Sequence, residues 1–217
     1  YDFDAGVHWV PKKIELMDAY QFVKLQEEIL SEKDMNSGYY KELDGHKFSA
    51  EDYLNVPQYK WQNEIFESAW QQSHNIRLTG GSREARYNAS FRYFDQDGVV
   101  INSNVNRIQG SIGTNIRHNK LRININSHFD RKVTLGSDPS QSSHSGMNNL
   151  FFSVWGYRPV TEPGVPLNSL MDNIRDESVN ATNDYRFNPI MSLNNEYRKF
   201  STTIVRYNGF AEYELAK

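Results

Sequence analysis

The chain has 217 residues, with 24 Lys and Arg against 27 Asp and Glu and a formal charge of -3. That near balance lacks the basic footprint of a nucleic-acid binder, and the absence of cysteine excludes disulfide scaffolds, Cys-ligated zinc and Cys nucleophiles. Hydrophobic residues at 38% and aromatics at 13% argue against a disordered chain, while the lack of any apolar run near 18–20 residues excludes a membrane helix and leaves a membrane β-barrel open.

Period-two alternation of apolar and polar residues dominates the chain and predicts six strands. The first, near 1–10, sets Tyr1, Phe3, Ala5, Val7 and Trp9 against Asp2, Asp4 and His8. A long insertion near 11–72 follows. Within it Ile14–Leu30 reads as an amphipathic helix carrying Leu16, Phe22, Val23, Leu25 and Ile29, and Trp61–Phe66 as a short helical turn. The second strand, near 73–81, sets Ile76 and Leu78 against Asn75, Arg77 and Thr79. The third, near 85–95, sets Tyr87, Ala89, Phe91 and Tyr93 against Arg86, Asn88, Ser90 and Arg92. Asp97-Gly98 then reads as the positive-φ step of a hairpin turn. The fourth strand, near 104–117, opposes Ile108, Ile112 and Ile116 to Arg107, Ser111 and Arg117. The fifth, near 121–134, opposes Leu121, Ile123, Ile125 and Phe129 to Arg122, Asn124, Asn126 and His128. A second insertion, near 135–199, holds a Ser- and Gly-rich loop over 136–149, an aromatic patch Phe151–Tyr157 and a Pro-rich segment ending at Pro166. The sixth strand, near 200–216, sets Val205, Tyr207, Ala211, Tyr213 and Leu215 against Arg206, Asn208, Glu212 and Glu214, with Ile204 and Phe210 interrupting the polar side.

These runs reach roughly 9–13 residues, beyond the usual 5–6 of a globular sheet and near the roughly 9–11 with which a tilted strand crosses a bilayer. Alternation alone fits two architectures equally: a membrane barrel with its apolar side on lipid, or a soluble β-sandwich with that side sealed inside. The connections separate them. Gly80–Glu84 and His118–Lys120 are tight turns, and the two insertions and the connection around Asp95–Gly98 alternate with them. Outer-membrane barrels place short turns at one end and long loops at the other, and structureless loops of such length are uncommon in a compact domain. The expected fold is all-β with short helices in the loops, a partial transmembrane antiparallel β-barrel. With no initiating Met or leader, and a last stretch Glu212–Lys217 that stops within the alternation, the chain reads as an excerpt of a longer protein.

No HExxH pair, phosphate loop or nucleophile elbow occurs, so neither enzyme activity, cofactor nor metal is expected. Asp34–Gly38 begins like a calcium loop, but its glycine falls one place early and no Glu follows at the required position. Asp95 and Asp97, a formal acid/base pair for glycosidic chemistry, read as turn formers beside Gly98. Tyr1, Trp9, Tyr93 and Tyr213 fall near strand ends, where interfacial aromatic girdles lie. In the second insertion Trp155, Tyr157 and Arg158 are the candidate ligand or partner contacts, because aromatic faces stack on sugar rings and a guanidinium offers a fork of donors. Packing of the loop onto itself is the plainer account of the same three residues.

Several segments resemble one family. Trp61–Phe66 (WQNEIF), Asn75–Gly81 (NIRLTGG) and Arg86–Asn102 (RYNASFRYFDQDGVVIN) are similar, in order and spacing, to a stretch of the SusC/RagA-type TonB-linked outer-membrane receptors of Bacteroidota. Phe187–Lys199 (FNPIMSLNNEYRK) and Phe210–Leu215 (FAEYEL) resemble a later stretch of that family, and Tyr1–Trp9 resembles its first barrel strand after the plug domain. The resemblance implies the first six or so strands of a roughly 22-stranded barrel in the bacterial outer membrane, with the plug domain absent from this stretch. It also implies import of glycans or peptides, with a SusD-like surface lipoprotein as partner and TonB supplying energy. Arg77, Arg86, Arg92, Arg107, Arg117 and Arg122 would then face a wet lumen, meeting plug carboxylates or substrate, or simply solvated and paired across strands. The rival from another class is a secreted, soluble β-sandwich carbohydrate-binding module, which requires Phe91, Ile112 and Ile125 to be sealed between two layers.

Overall fold

The structure, a computed structural model, describes residues 1–29, 38–136, 150–172 and 187–215. In chain order the elements are β1 (Asp2–His8), α1 (Ala19–Ile29), a 3-10 turn (Gly38–Tyr40), β2 (Glu42–Leu43), β3 (His46–Lys47) and a second 3-10 turn (Ala50–Tyr53). There follow α2 (Trp61–Ile65), β4 (Ala69–Gly81), β5 (Ala85–Asp97), β6 (Asn104–His118), β7 (Leu121–Leu135), α3 (Leu150–Gly156), a third 3-10 turn (Leu167–Met171), α4 (Pro189–Asn195) and β8 (Lys199–Tyr213). The chain divides into two compact units, one made of Tyr1–Trp9, Ser68–Gly136 and Tyr197–Lys217, the other of Val10–Glu67 and Ser137–Glu196.

The first unit is one antiparallel sheet in the order β1-β4-β5-β6-β7-β8. Each of β4 to β8 is 13 or 15 residues long. The ladders run without a break in register, with Ile76 opposite Phe91, Phe91 opposite Gly110, Gly110 opposite Phe129 and Phe129 opposite Val205. β4 begins at Ala69, earlier than the alternation around Ile76 indicates, because Gln72 and His74 occupy the apolar parity and blur the pattern while β1 supplies the pairing, His8 to Ala69. Both tight turns lie at one end of the sheet. The turn between β6 and β7 is the pair Asn119-Lys120, with Asn119 in the left-handed region at φ 51°, a conformation asparagine tolerates. Between β4 and β5, Gly81 adopts φ 136°, and a Cβ there would stand 2.1 Å from the Ala85 carbonyl oxygen. At the opposite end, the β5–β6 connection takes its positive φ at Asn102 (61°), not at the Asp97-Gly98 step. Gly98 is required for space instead: its amide donates to the Ser103 carbonyl at 2.8 Å, and a Cβ would lie 1.9 Å from Ser103 Oγ.

The second unit has its own core, with Ala19, Phe22 and Val23 of α1 against Tyr39, Tyr40, Ala50, Tyr53 and Val160. Its tyrosines are buried with their hydroxyls satisfied on backbone carbonyls: Tyr39 on Val160 at 3.2 Å, Tyr53 on Tyr39 at 3.0 Å and Tyr40 on Val23. This lets phenols fill an aromatic core without stranding a polar atom. The helix begins at Ala19, later than Ile14, because Asp18 and Gln21 cap it reciprocally, Gln21 N donating to Asp18 Oδ1 at 2.8 Å and Asp18 N to Gln21 Oε1 at 3.1 Å. The preceding residues are held outside the helix by side-chain amides. Gln62 meets Ile14 twice, Nε2 donating to its carbonyl at 2.7 Å and Oε1 accepting from its amide at 3.1 Å, and Gln58 Oε1 accepts from Ala19 N at 2.7 Å. Elsewhere in the unit, fully buried Asn188 caps α4 by accepting from the amides of Ile190 and Met191, both at 3.0 Å, and ties it to Leu170 by donating to its carbonyl at 2.6 Å. Of the sequence expectations here, the 137–149 loop and Asp34–Ser37 lie outside the described residues.

Asp52 fixes the turn at Ala50–Tyr53. Its carboxyl is held below the usual carboxylate range, first by the Ser49 amide (2.7 Å), then by His46 (3.0 Å) and the Ser49 hydroxyl (3.0 Å), burial acting weakly the other way. A carboxylate whose folded pKa is depressed stabilises above its unfolded value, about 3.9, and that contribution is lost as pH falls through the folded value. Asp52→Asn is therefore expected to lower hydrogen-exchange protection of Tyr53 and Leu54 at neutral pH, with the difference from the unsubstituted protein closing below about pH 4. An undiminished difference in acid would contradict the assignment.

Candidate functional site

Because directly paired residues share a face, the ladder sorts every side chain of the sheet. One face carries Phe3, Ala5 and Val7 on β1, Ile76 and Leu78 on β4, Tyr87, Ala89 and Phe91 on β5, Ile108, Ile112 and Ile116 on β6, Leu121 to Phe129 at odd positions on β7, and Val205, Tyr207, Ala211 and Tyr213 on β8. The residues a sandwich would seal are open: Phe91 is 45% exposed, Ile112 61% and Ile125 52%. The apolar band is bounded toward the long-connection end by polar residues of the same parity, Asp95 on β5, Asn106 on β6 and Arg131 on β7. Tyr93 sits at that border with its hydroxyl accepting from Asn106 at 2.9 Å, and Tyr1 pairs its hydroxyl with His74 Nδ1 at 2.7 Å.

The band also slants. On β1 the apolar run reaches Val7, which pairs with Trp70, whereas on β8 the run reaches toward the same end only as far as Val205, level with Ile76, Phe91 and Phe129. Its border therefore shifts by about six residues over five strand steps. At about 3.3 Å per residue and about 4.8 Å per strand this is an angle of roughly 50° between strands and band, or a strand tilt of roughly 40° from the band's normal.

The opposite face is polar and cationic. Arg77, Arg86, Arg92, Arg107, Arg117, Arg122, Lys132 and Arg206 share it with the carboxylates Asp2, Asp4, Asp130 and Glu212. Arg107 grips the buried Asp130 with both Nε, at 2.9 Å, and Nη2, and Gln109 adds a bond at 3.3 Å. Arg122 meets Glu212 at 3.2 Å, and Arg92 donates to Ser73 Oγ at 3.3 Å while lying over the Phe94 ring. Cross-strand pairing thus claims Arg107 and Arg122. Among the described residues Arg77, Arg86, Arg117, Lys132 and Arg206 make no ion pair.

In the second unit a cleft of about 500 Å³ runs along the segment 13–18. Tyr59 and Trp61 form a stacked pair on its wall, ring centroids 4.9 Å apart, and Lys13, Gln58, Gln62 and Asn63 supply polar atoms. The structure separates the three candidate contacts of this region. Trp155 is 45% exposed on the cleft, its ring stacked on Phe151 at 5.1 Å. Tyr157 is 5% exposed, edge-on to Trp61 at 5.2 Å. Arg158 donates to the Tyr39 hydroxyl at 3.3 Å and its carbonyl accepts from Trp61 Nε1 at 3.1 Å. Tyr157 and Arg158 therefore shape the unit, and Trp155 presents its face outward. The described residues contain no grouping of three or more metal-ligating side chains.

Comparison with known proteins agrees with this geometry. The chain is 28% identical over 175 residues to the TonB-dependent receptor P3 of Formosa agariphila, a match covering 76% of the chain and 16% of the relative. It is 31% identical over 98 residues to the TonB-dependent receptor SusC of Bacteroides thetaiotaomicron, covering 44% of the chain and 10% of the relative. Together they support a SusC-type TonB-dependent receptor segment. The chain spans less than a fifth of the length of either relative. No family model matches it.

In the second unit, the cleft residues that the sequence reading passed over are Gln58, Gln62 and Asn63, polar side chains of a loop and a short helical turn that carry no site signal until their contacts are known. The sheet supplies a sharper test. Asp130→Ala leaves Arg107 directly opposite Lys132 with no carboxylate between them, and is expected to cost about 1–3 kcal/mol, the range for a charged hydrogen bond removed. Adding Arg107→Ala is expected to recover part of that loss in thermal unfolding of the full-length protein. Strictly additive single and double variants would contradict a coupled pair.

Proposed function

We propose that this chain is part of the wall and loops of a TonB-dependent importer in the bacterial outer membrane, covering the first strands of its β-barrel. The observation that carries the reading is the exposed, slanted apolar band on one face of a sheet whose other face is charged. Over Ile108–Ile116 of β6 and Leu121–Phe129 of β7 its height agrees with the roughly 9–11 residues that cross a bilayer. Its slant is close to the 35–45° strand tilt of membrane barrels. The long connections leave from the end where the band gives way to polar residues, which supports an extracellular placement for them, and Tyr93 and Tyr213 near the two borders suit interfacial girdles. A β-sandwich module would need a second layer over Phe91, Ile112 and Ile125, whose exposure counts against it.

In this reading the apolar face meets lipid and the polar face lines the passage or a plug within it. The cargo is a glycan or peptide, a SusD-like lipoprotein is the surface partner and TonB provides energy; these rest on the similarity to receptors that carry the TonB-dependent and SusC names. Trp155, with Tyr157 and Arg158 behind it, is the loop contact for cargo or partner. The test is uptake by cells lacking the receptor that contains this segment, complemented with the unsubstituted gene or with Trp155→Ala. Loss of the same oligosaccharide or peptide uptake in receptor-deficient and TonB-deficient cells is expected, with partial restoration by Trp155→Ala. Uptake indifferent to both deletions would contradict the proposal.

A further inference from the structure

We infer that the polar face of the sheet is an anion-binding wall whose ligand is an acidic oligosaccharide, one bearing carboxylate or sulfate groups. The inference rests on the importer reading of this sheet and narrows its cargo. Cations on the face outnumber carboxylates although the chain as a whole is slightly acidic. They are also crowded. Arg117 stands directly opposite Arg122 and Lys132 opposite Arg107, and Arg77 is the diagonal neighbour of Arg92 across β4 and β5. Like charges directly opposed work against strand pairing. Asp130 and Glu212 answer only Arg107 and Arg122, so the remaining cations become favourable when an external anion lies over them.

The surroundings select the class of anion. In the row joining Arg77 to Arg206 the intervening residues are Ser90, Ser111 and His128, the two serine hydroxyls bonded to each other at 2.6 Å. The next row places Asn88 and Asn126 on either side of Gly113, where a Cβ would come within 2.8 Å of both side chains. Short amides and hydroxyls of this kind match the hydroxyls of a sugar and form no pocket for the apolar side chains of a peptide. Planar guanidinium forks bind carboxylate and sulfate in two-point fashion, and passages lined by Arg and Lys favour anions.

The experiment uses the full-length receptor in detergent, titrated with oligogalacturonate, dextran sulfate oligosaccharide, neutral dextran oligosaccharide of equal length, and polyglutamate. At least one acidic sugar is expected to bind about tenfold more tightly than neutral dextran, and Arg77→Gln with Arg92→Gln to remove about tenfold of that affinity, more so at low salt. Arg206→Gln, on exposed β8, is read alongside as a second variant should the double one not assemble. Equal binding of acidic and neutral sugars overturns the inference, as do variants that bind acidic sugar like the unsubstituted receptor. Preferential binding of polyglutamate overturns it in favour of peptide. Variants that lose thermal stability with unchanged sugar affinity overturn it in favour of a protein surface. Uptake separates this from the importer reading: receptor-dependent entry of both sugars at equal rates sinks the charge selection alone, whereas entry without the receptor sinks the importer.

Discussion

In a hydrogen-bonded antiparallel ladder, the parity of a residue decides which face it meets, and a slip of one position exchanges the two faces entirely. The register from β1 through β8 holds that parity across six strands. It brings Ile76, Phe91, Phe129 and Val205 into one row and, one residue along, Arg77, Ser90, Ser111 and Arg206 into the row behind it. The sheet then has a continuous apolar side too broad to be left to water in a monomeric soluble protein. It also has a mostly polar side, interrupted by Phe94, Ile204 and Phe210, that is too charged to pack as a dry core. The importer proposed above would meet both requirements, with hydrocarbon on one side and water on the other.

The same parity explains where chemistry is found. The polar face combines the paired Arg107 and Arg122 with cations that have no carboxylate within the described sheet. The second unit works differently. It spends its aromatics on a core of tyrosines with satisfied hydroxyls and on the Tyr59–Trp61 stack, and exposes Trp155 on a cleft whose wall is held by Gln58 and Gln62.

Much of the sheet was legible because period-two alternation is local: Tyr87 to Tyr93 and Leu121 to Phe129 announce their faces without reference to neighbours. What alternation could not reveal was set by partners. The extension of β4 back to Ala69 depends on β1, since Gln72 and His74 sit at the apolar parity and interrupt the alternation, opposite Ala5 and Phe3. The start of α1 depends on Asp18, Gln21 and Gln62, side chains whose effect on the backbone has no periodic signature. At the β5–β6 turn the Asp-Gly pair drew the eye, while the left-handed residue is Asn102. At the candidate site, Trp155, Tyr157 and Arg158 look equivalent as a run of three. Burial against Trp61 and the bond to Tyr39 are long-range facts that divide them.

The most direct test of the two-sided sheet is a nitroxide scan along β6 in the full-length protein within membranes of cells that express it, with single cysteines placed from Ile108 to Ile116. The account predicts that labels at Ile108, Ile112 and Ile116 relax with oxygen dissolved in the lipid, and that labels at Gln109, Ser111 and Asn115 relax with a water-soluble nickel chelate. Uniform exposure to the chelate, or uniform protection from both reagents, would contradict it.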